Sequence, residues 1–431
     1  MPEFEESQMQ SEGFAARRAA MIAAGFWKER VLLDYFDALL IKAPQSPAIA
    51  AHDATTAVTT RLTYAELGEK VDRIALNLAR LGVDQGDVVS YQLPNWWQFI
   101  ALHLACLRIG AVTNPIMPIL RRRELEFMLN HAQSKVIVTP GRWRDFDYAG
   151  MIAGMRPAVP HLKHALVIGG EGDKAFERLH DQPIDRWEAD ALFAARRPSP
   201  DDVIQVLYTS GTTGEPKGVM HTSNTQISNL WPYIERLHIK SSDVVFMASP
   251  LAHQTGFMYG LMMPILLGTH VVLQDIWNRK VAADLIQSEK PTFTMASTPF
   301  LADLTDEAET RPAAFNSLRT FLAAGAPIPR VLVRRATEHM GATIASGWGM
   351  TENGAVTVTR PEDPPEKAFE TDGRALPGMA TRIVDAAGTA VAAGSEGRLQ
   401  VRGCSNFVGY LKRPDLTAID ADGWFDTGDL G

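Results

Sequence analysis

Residues 208–219 read YTSGTTGEPKGV. Glycines, hydroxyl side chains and Lys217 crowd together directly behind the apolar run VIQVL at 203–207. Phosphate chemistry suits that mixture. Glycine lets the backbone approach an anion, exposed N–H groups and Ser/Thr hydroxyls donate to its oxygens, and a lysine supplies a point charge. The stretch departs from the G-x-x-x-x-G-K-[ST] loop: counted from Gly211, the second glycine position holds Pro216, and Gly218 follows Lys217. A phosphate-directed loop outside the Walker pattern is one reading, and a polar hairpin is the other.

Further stretches offer chemistry. In SPLAHQTGFMYGLMMP, residues 249–264, His253 follows an apolar run, and open α/β sheets bind ligands at the carboxyl ends of their strands. A structural histidine is the plainer reading there. The methionine-rich FMYGLMM reads as a core helix, or as the wall of an adaptable apolar pocket. FLAAGAPIP (321–329) and ASGWGMTENG (345–354) place small residues after apolar runs, which suits a flat ligand lying against backbone. Trp348 offers a stacking face, Thr351 a hydroxyl and Glu352 a carboxylate. One carboxylate with substrate phosphates and water is a common way to hold Mg²⁺; an aromatic-capped turn with an exposed glutamate is the alternative. GWFDTGDL (423–430) adds Asp426 and Asp429. A carboxylate can accept ribose hydroxyls, although paired acids beside glycine are also ordinary loop chemistry.

The elements that must position these groups follow from composition and periodicity. The chain has 431 residues, 46% hydrophobic and 21% charged, enough to bury several cores. Its net charge of −8 gives no reason to expect a nucleic acid partner. The two cysteines, Cys106 and Cys404, lie far apart, which points to a reduced, cytoplasmic protein without a disulfide framework. Arg17-Arg18 precede AAMIAAGFW, but that run stops at Lys28 and turns amphipathic, so a surface helix is expected instead of a signal segment. No apolar run reaches the roughly eighteen residues of a spanning helix.

Thr63 followed by Glu66 has capping-box spacing and opens a helix running to Gly82. VVSYQL (88–93) reads as a strand, a helix follows from about Trp96 to Ile109, and KVIV (135–138) is another strand. HALVIGG, VIQVLYT, DVVFMAS, THVVLQ and PTFTMAS continue the pattern between helical segments. Such alternation predicts an α/β fold with two helix-covered, mostly parallel sheets, approximately residues 1–200 and 201–369. TRIVDAAGTAV, EGRLQVRG and FVGYL predict a small β-rich region, a distorted barrel, over 370–431. Arg121-Arg122-Arg123 opens a helix and reads as a solvated face.

In this order the stretches resemble the adenylate-forming superfamily, which includes acyl- and aryl-CoA synthetases, luciferases and peptide-synthetase adenylation domains. YTSGTTGEPKGV resembles its phosphate loop, and GWGMTE and WFDTGDL its later nucleotide motifs; LTYAEL and EGRLQVRGCSNFVGY also fit. The resemblance spans nearly the whole chain. It implies that Thr209, Ser210, Gly211, Thr212, Thr213, Gly214 and Lys217 form the loop over the triphosphate of ATP. It further implies that Gly325, Ala326, Pro327 and Trp348 flank adenine, Thr351 touches phosphate, Glu352 binds Mg²⁺ and Asp429 holds the ribose. Lys217, Thr351, Glu352 and His253 are then the catalytic candidates. The implied reaction is attack of a substrate carboxylate on the α-phosphate, loss of pyrophosphate, and displacement of AMP by the thiol of CoA. No general base is required, because a carboxylic acid with a pKa of about 4–5 is already ionised at neutral pH.

Members of the superfamily usually continue into a hinge and a small C-terminal domain whose lysine assists adenylation. This chain stops at Gly431, just after TGDL, so the resemblance implies a large N-terminal domain (1–431), poorly active by itself. Relatives that take α-amino acids hold the ammonium with an aspartate at the start of the motif that here reads AHQTGF. No acid lies between Ser249 and Pro264, so an uncharged acyl tail is expected. The expected pocket wall is His253, Thr255, Gly256, Met258, Ala324, Gly325, Gly349 and Met350. By the same resemblance, the sequence looks like the cyclohexanecarboxylate- and short- to medium-chain fatty acyl-CoA ligases. Cyclohexanecarboxylate ranks first and benzoate-type acids next. A luciferase-like or carrier-protein-loading enzyme would share the first half-reaction, whereas a nucleotide-binding module would release no pyrophosphate. Arg121-Arg122-Arg123 meeting the CoA phosphates is the alternative to its solvated face.

Overall fold

Thr63 caps the helix Tyr64–Arg80 as its spacing predicts: its hydroxyl accepts the N–H of Glu66 at 3.2 Å, and the Glu66 carboxylate accepts the N–H of Thr63 at 2.8 Å. The helix buries Leu67, Val71, Ile74, Ala75 and Leu78 on one face, the stripe that enters the main hydrophobic core. The computed structural model describes residues 12–209, 215–417 and 419–431. Ser210, Gly211, Thr212, Thr213 and Gly214 of the phosphate-directed stretch lie outside the described residues.

A nine-stranded sheet carries six parallel strands at its centre, in the order Thr343–Met350, Thr320–Ala324, Phe293–Ala296, Val244–Met247, His270–Gln274 and Pro47–Asp53. Antiparallel strands close it, Val58–Thr63 at one edge and Gly354–Val358 with Arg374–Ala375 at the other. A seven-stranded sheet runs Gly409–Tyr410, Lys217–Thr222, Val203–Thr209, Val112–Pro115, Val88–Tyr91, Val136–Pro140 and His164–Ile168. Met379–Val384, Arg398–Gly403 and Phe425–Leu430 form a small antiparallel sheet.

The sheets cut across the sequence blocks. Residues 47–63 join the nine-stranded sheet, and the hairpin Val203–Thr209/Lys217–Thr222 joins the seven-stranded one. The run FVGYL also leaves the C-terminal β-rich region, because Gly409–Tyr410 pairs with Lys217–Thr222. Local pattern identifies a strand, but partner choice is set by which unpaired edge lies beside it.

The two large sheets share one core. Its largest cluster joins Val89 and Tyr91, Val245 and Met247, the helix Trp97–Arg108 and the buried segment Phe257–Met263. FMYGLMM is thus core helix, but Phe257–Met262 forms a π-turn, a form that recurs at functional sites. Among the described residues, no helix is long and apolar enough to cross a membrane.

Candidate active site

The parallel strands Thr320–Ala324 and Thr343–Met350 pair with Ala324 opposite Gly347, so their carboxyl ends set residues 325–327 and 349–352 side by side. Gly325 has a φ of 86° with open space around it, a left-handed turn that lifts Ala326 and Pro327 to the surface. Their carbonyls accept the Thr298 hydroxyl at 3.2 and 3.4 Å. Gly349 sits at a bulge where a Cβ would lie 2.0 Å from the carbonyl oxygen of Gly354. Trp348 donates its indole N–H to Asp429 at 3.1 Å, which joins two residues assigned to adenosine.

The antiparallel strands Val203–Thr209 and Lys217–Thr222 set Thr209 opposite Lys217. The ammonium of Lys217 is 3.3 Å from the Tyr410 hydroxyl and 4.6 Å from that ring's centroid. The same hydroxyl donates to Oε1 of Glu352 at 2.6 Å. Glu352 is only 3% exposed. Burial pushes its pKa above the usual carboxylate value, while the Tyr410 hydroxyl and the Lys217 charge pull it back. The Phe407 N–H donates to the Glu352 carbonyl at 2.7 Å.

Thr351 is positioned from beneath. Nε2 of the buried His221 lies 2.7 Å from the Thr351 carbonyl, which can only accept, so Nε2 carries the proton. Burial holds the His221 pKa down at about 4, leaving the ring neutral. Tyr410 and His221 escaped sequence reasoning. FVGY read as a strand, and His221 follows the signature loop with no spacing that announces a partner at 351.

The expected pocket wall falls into two groups. His253, Thr255, Gly256 and Met258 occupy one turn beyond the strand Val244–Met247, whereas Ala324, Gly325, Gly349 and Met350 sit where two other strands end. His253 caps its turn, with Nδ1 accepting the Thr255 N–H at 3.3 Å; the ring is exposed, and the surrounding protein lowers its pKa. Met258 is buried in the shared core. Met350 packs against Val219, Phe407, Tyr410 and Phe425. Of the arginine cluster, Arg122 pairs with Glu126 at 2.6 Å, and Arg121 stacks 4.0 Å from the Phe146 ring centroid.

One buried carboxylate beside a lysine, at the stem of a glycine-rich hairpin, fits a magnesium nucleotide. Mg²⁺ is commonly held by a single protein carboxylate with phosphates and water. Among the described residues there is no group of three or more His, Cys, Asp or Glu side chains that could cage a metal by itself. The site and the fold around it are those of a nucleotide-dependent, acid-activating enzyme.

Comparison with known proteins agrees. The family described as AMP-binding enzyme matches residues 42–411. The medium-chain fatty-acid–CoA ligase of Escherichia coli (strain K12) is 33% identical over 418 residues, covering 96% of this chain and 72% of that protein. The salicylyl-CoA synthase/salicylate adenylyltransferase of Streptomyces sp is 32% identical over 419 residues, covering 94% and 74%. The N-terminal domain of FACL13 from Mycobacterium tuberculosis shares the fold, with a TM-score of 0.81 at 24% identity, covering 93% of this chain and 97% of that domain. The chain belongs to the AMP-binding enzyme family, the adenylate-forming ligases. Its reaction class is acyl- or aryl-CoA ligation through an adenylate, with a carboxylic acid, ATP, Mg²⁺ and CoA as reactants and cofactors.

Proposed function

We propose that this chain activates a compact hydrophobic carboxylic acid, cyclohexanecarboxylate or a near relative, as an acyl-adenylate for transfer to CoA. The observation that carries the nucleotide half is the Lys217–Tyr410–Glu352 chain at the stem of the phosphate hairpin. Thr209 and Lys217, with Ser210, Gly211, Thr212, Thr213 and Gly214, embrace the phosphates. Lys217 neutralises charge as the carboxylate oxygen bonds to the α-phosphorus and the bond to pyrophosphate breaks. Mg²⁺ on Glu352 would supply further neutralisation of the phosphate oxygens. Thr351, presented by His221, reaches phosphate, while Gly325, Ala326, Pro327, Trp348 and Asp429 take adenine and ribose. Catalysis in this reading is positioning and charge neutralisation, with His253 as the remaining catalytic candidate.

His253, Thr255, Gly256, Met258, Ala324, Gly325, Gly349 and Met350 form the acyl wall in this reading. The absence of any acid between Ser249 and Pro264 supports an uncharged tail, since an ammonium buried there would be unpaired. A linear medium-chain acid is the second reading, favoured by the Escherichia coli relative and by the adaptable Met258, Met262 and Met263. Thermal shift with non-hydrolysable acyl-adenylate mimics tests both. A mimic at 100 times its Kd should stabilise the chain by about 2.7 kcal/mol. The cyclohexyl mimic is expected to lead the phenyl, linear and aminoacyl ones. A linear lead would transfer the assignment to fatty acids, and no shift with any mimic would overturn it.

A further inference from the structure

Arg17-Arg18 found no use in the chemistry above. Both lie on the helix Glu12–Ala23, and both are anchored. Arg18 donates to Asp201 at 2.6 Å, just ahead of the strand Val203–Thr209. Arg17 stacks over the Trp27 ring, 5.3 Å from its centroid. Its guanidinium donates to four backbone carbonyls: Nη1 to Phe407 at 3.1 Å, and Nη2 to Gly403 and Cys404, each at 3.3 Å, and to Asn406. The Trp27 indole N–H adds a bond to the Cys404 carbonyl at 2.9 Å.

These carbonyls belong to a strap that leaves the small sheet at Gly403 and joins the seven-stranded sheet at Gly409. Ser405, Asn406 and Phe407 are buried in it. The strap also holds the metal candidate. The Phe407 N–H donates to the Glu352 carbonyl at 2.7 Å, and the Ser405 hydroxyl to the Asn353 carbonyl at 2.7 Å. The peptide between Asn406 and Phe407 is therefore bonded at both ends, its C=O to Arg17 and its N–H to Glu352. A planar trans peptide points those two groups in opposite directions, and a bond accepted at the oxygen strengthens the N–H as a donor. Three residues further on, the Tyr410 hydroxyl donates to the Glu352 carboxylate at 2.6 Å. The strap fixes Glu352 through both main chain and side chain, and Arg17 fixes the strap.

We propose that Arg17 is a positioning residue for the magnesium nucleotide: from the N-terminal helix it sets the strap so that Phe407 and Tyr410 hold Glu352 where the carboxylate can meet the metal. The inference rests on the assignment of Glu352 to Mg²⁺ above and adds a residue from the far end of the chain. A planar fork of donors suits several carbonyls at once, whereas the compact ammonium of a lysine does not.

Calorimetric titration of the chain with a non-hydrolysable ATP analogue, in Mg²⁺ and in EDTA, tests the proposal. A dissociation constant is read on folded molecules, so a smaller folded fraction does not move it. Arg17→Met should weaken binding in Mg²⁺ about tenfold, the scale seen when the partner that orients a metal ligand is removed. Binding in EDTA should stay nearly unchanged, and Arg17→Lys should recover part of the loss. In a Glu352→Gln background Arg17→Met should cost little more, because residues that act through one another are not additive. Equal losses in both backgrounds, or with and without Mg²⁺, would show that Arg17 serves the fold alone and overturn the inference. Parental affinity in both Arg17 variants, or failure of both to fold, would overturn it equally. If Glu352→Gln by itself left binding in Mg²⁺ unchanged, the assignment of Glu352 to the metal would fall, and this inference with it.

Discussion

Glu352 is pulled in two directions, by burial toward the neutral acid and by the Tyr410 hydroxyl and Lys217 ammonium toward the carboxylate. Tyr410 is thus the residue that keeps a buried carboxyl able to meet a cation. Tyr410→Phe removes a hydrogen bond to a charged group, which should lower kcat/KM by roughly tenfold to a hundredfold. It should also raise the Glu352 pKa further, so the acid limb of a pyrophosphate-release profile moves to higher pH. Equal loss at every pH would mean that Tyr410 only packs. Lys217, Glu352, Thr351 and Trp348 were legible as candidates because each sits in a short stretch whose composition has a chemical use. Tyr410 was not, because its meaning lies in two partners distant in sequence.

At the scale of elements, the carboxyl ends of two neighbouring parallel strands fix the adenosine-assigned residues. The bulge at Gly349 is the tightest point in that arrangement. A Cβ there meets the backbone of Gly354 at 2.0 Å and of Ala355 at 2.8 Å, and neither can swing aside as a side chain could. Gly349→Ala should cost about 1–3 kcal/mol of stability, read as a lower urea midpoint with the slope unchanged. It should also part Trp348 from Asp429 and weaken binding of an adenosine nucleotide. A variant as stable as the parent would show that the edge strand shifts freely. The helix opening at Thr63 needed only its own sequence, since a capping box is closed within one turn. The π-turn at Phe257–Met262 needed its neighbours: Gly260 brings the segment against Met247 and Leu251, and hydrogen-bond register follows that contact.

For the whole molecule, buried histidines set an acid limit. His103 is held to about 3 and His221 to about 4, both by burial, against about 6.5 in an unfolded chain. Above pH 6.5 neither state binds these protons, and stability is unaffected. Below it the unfolded chain takes up protons that the folded one refuses, so stability falls with pH until about 4, where His221 titrates in the fold as well, and for His103 toward about 3. At pH 5 each site should have cost roughly 2 kcal/mol relative to pH 7. Urea midpoints at pH 7, 6 and 5 should fall in that order, less steeply in His221→Gln. A flat profile would show that the folded chain admits protons at both sites.

By itself the sequence determined the class of chemistry, the existence of most strands and helices, and the α/β character, because each of these is written in residue types within a few positions of one another. Only the tertiary structure decided which sheet each strand joins. Residues 47–63 and Gly409–Tyr410 pair with segments far away in the chain, and pairing depends on the edge that folding leaves open. It also decided how Lys217, Tyr410 and Glu352 become one group. A hydrogen bond, or the want of one, is a property of distance between chain segments, which spacing along the sequence does not carry.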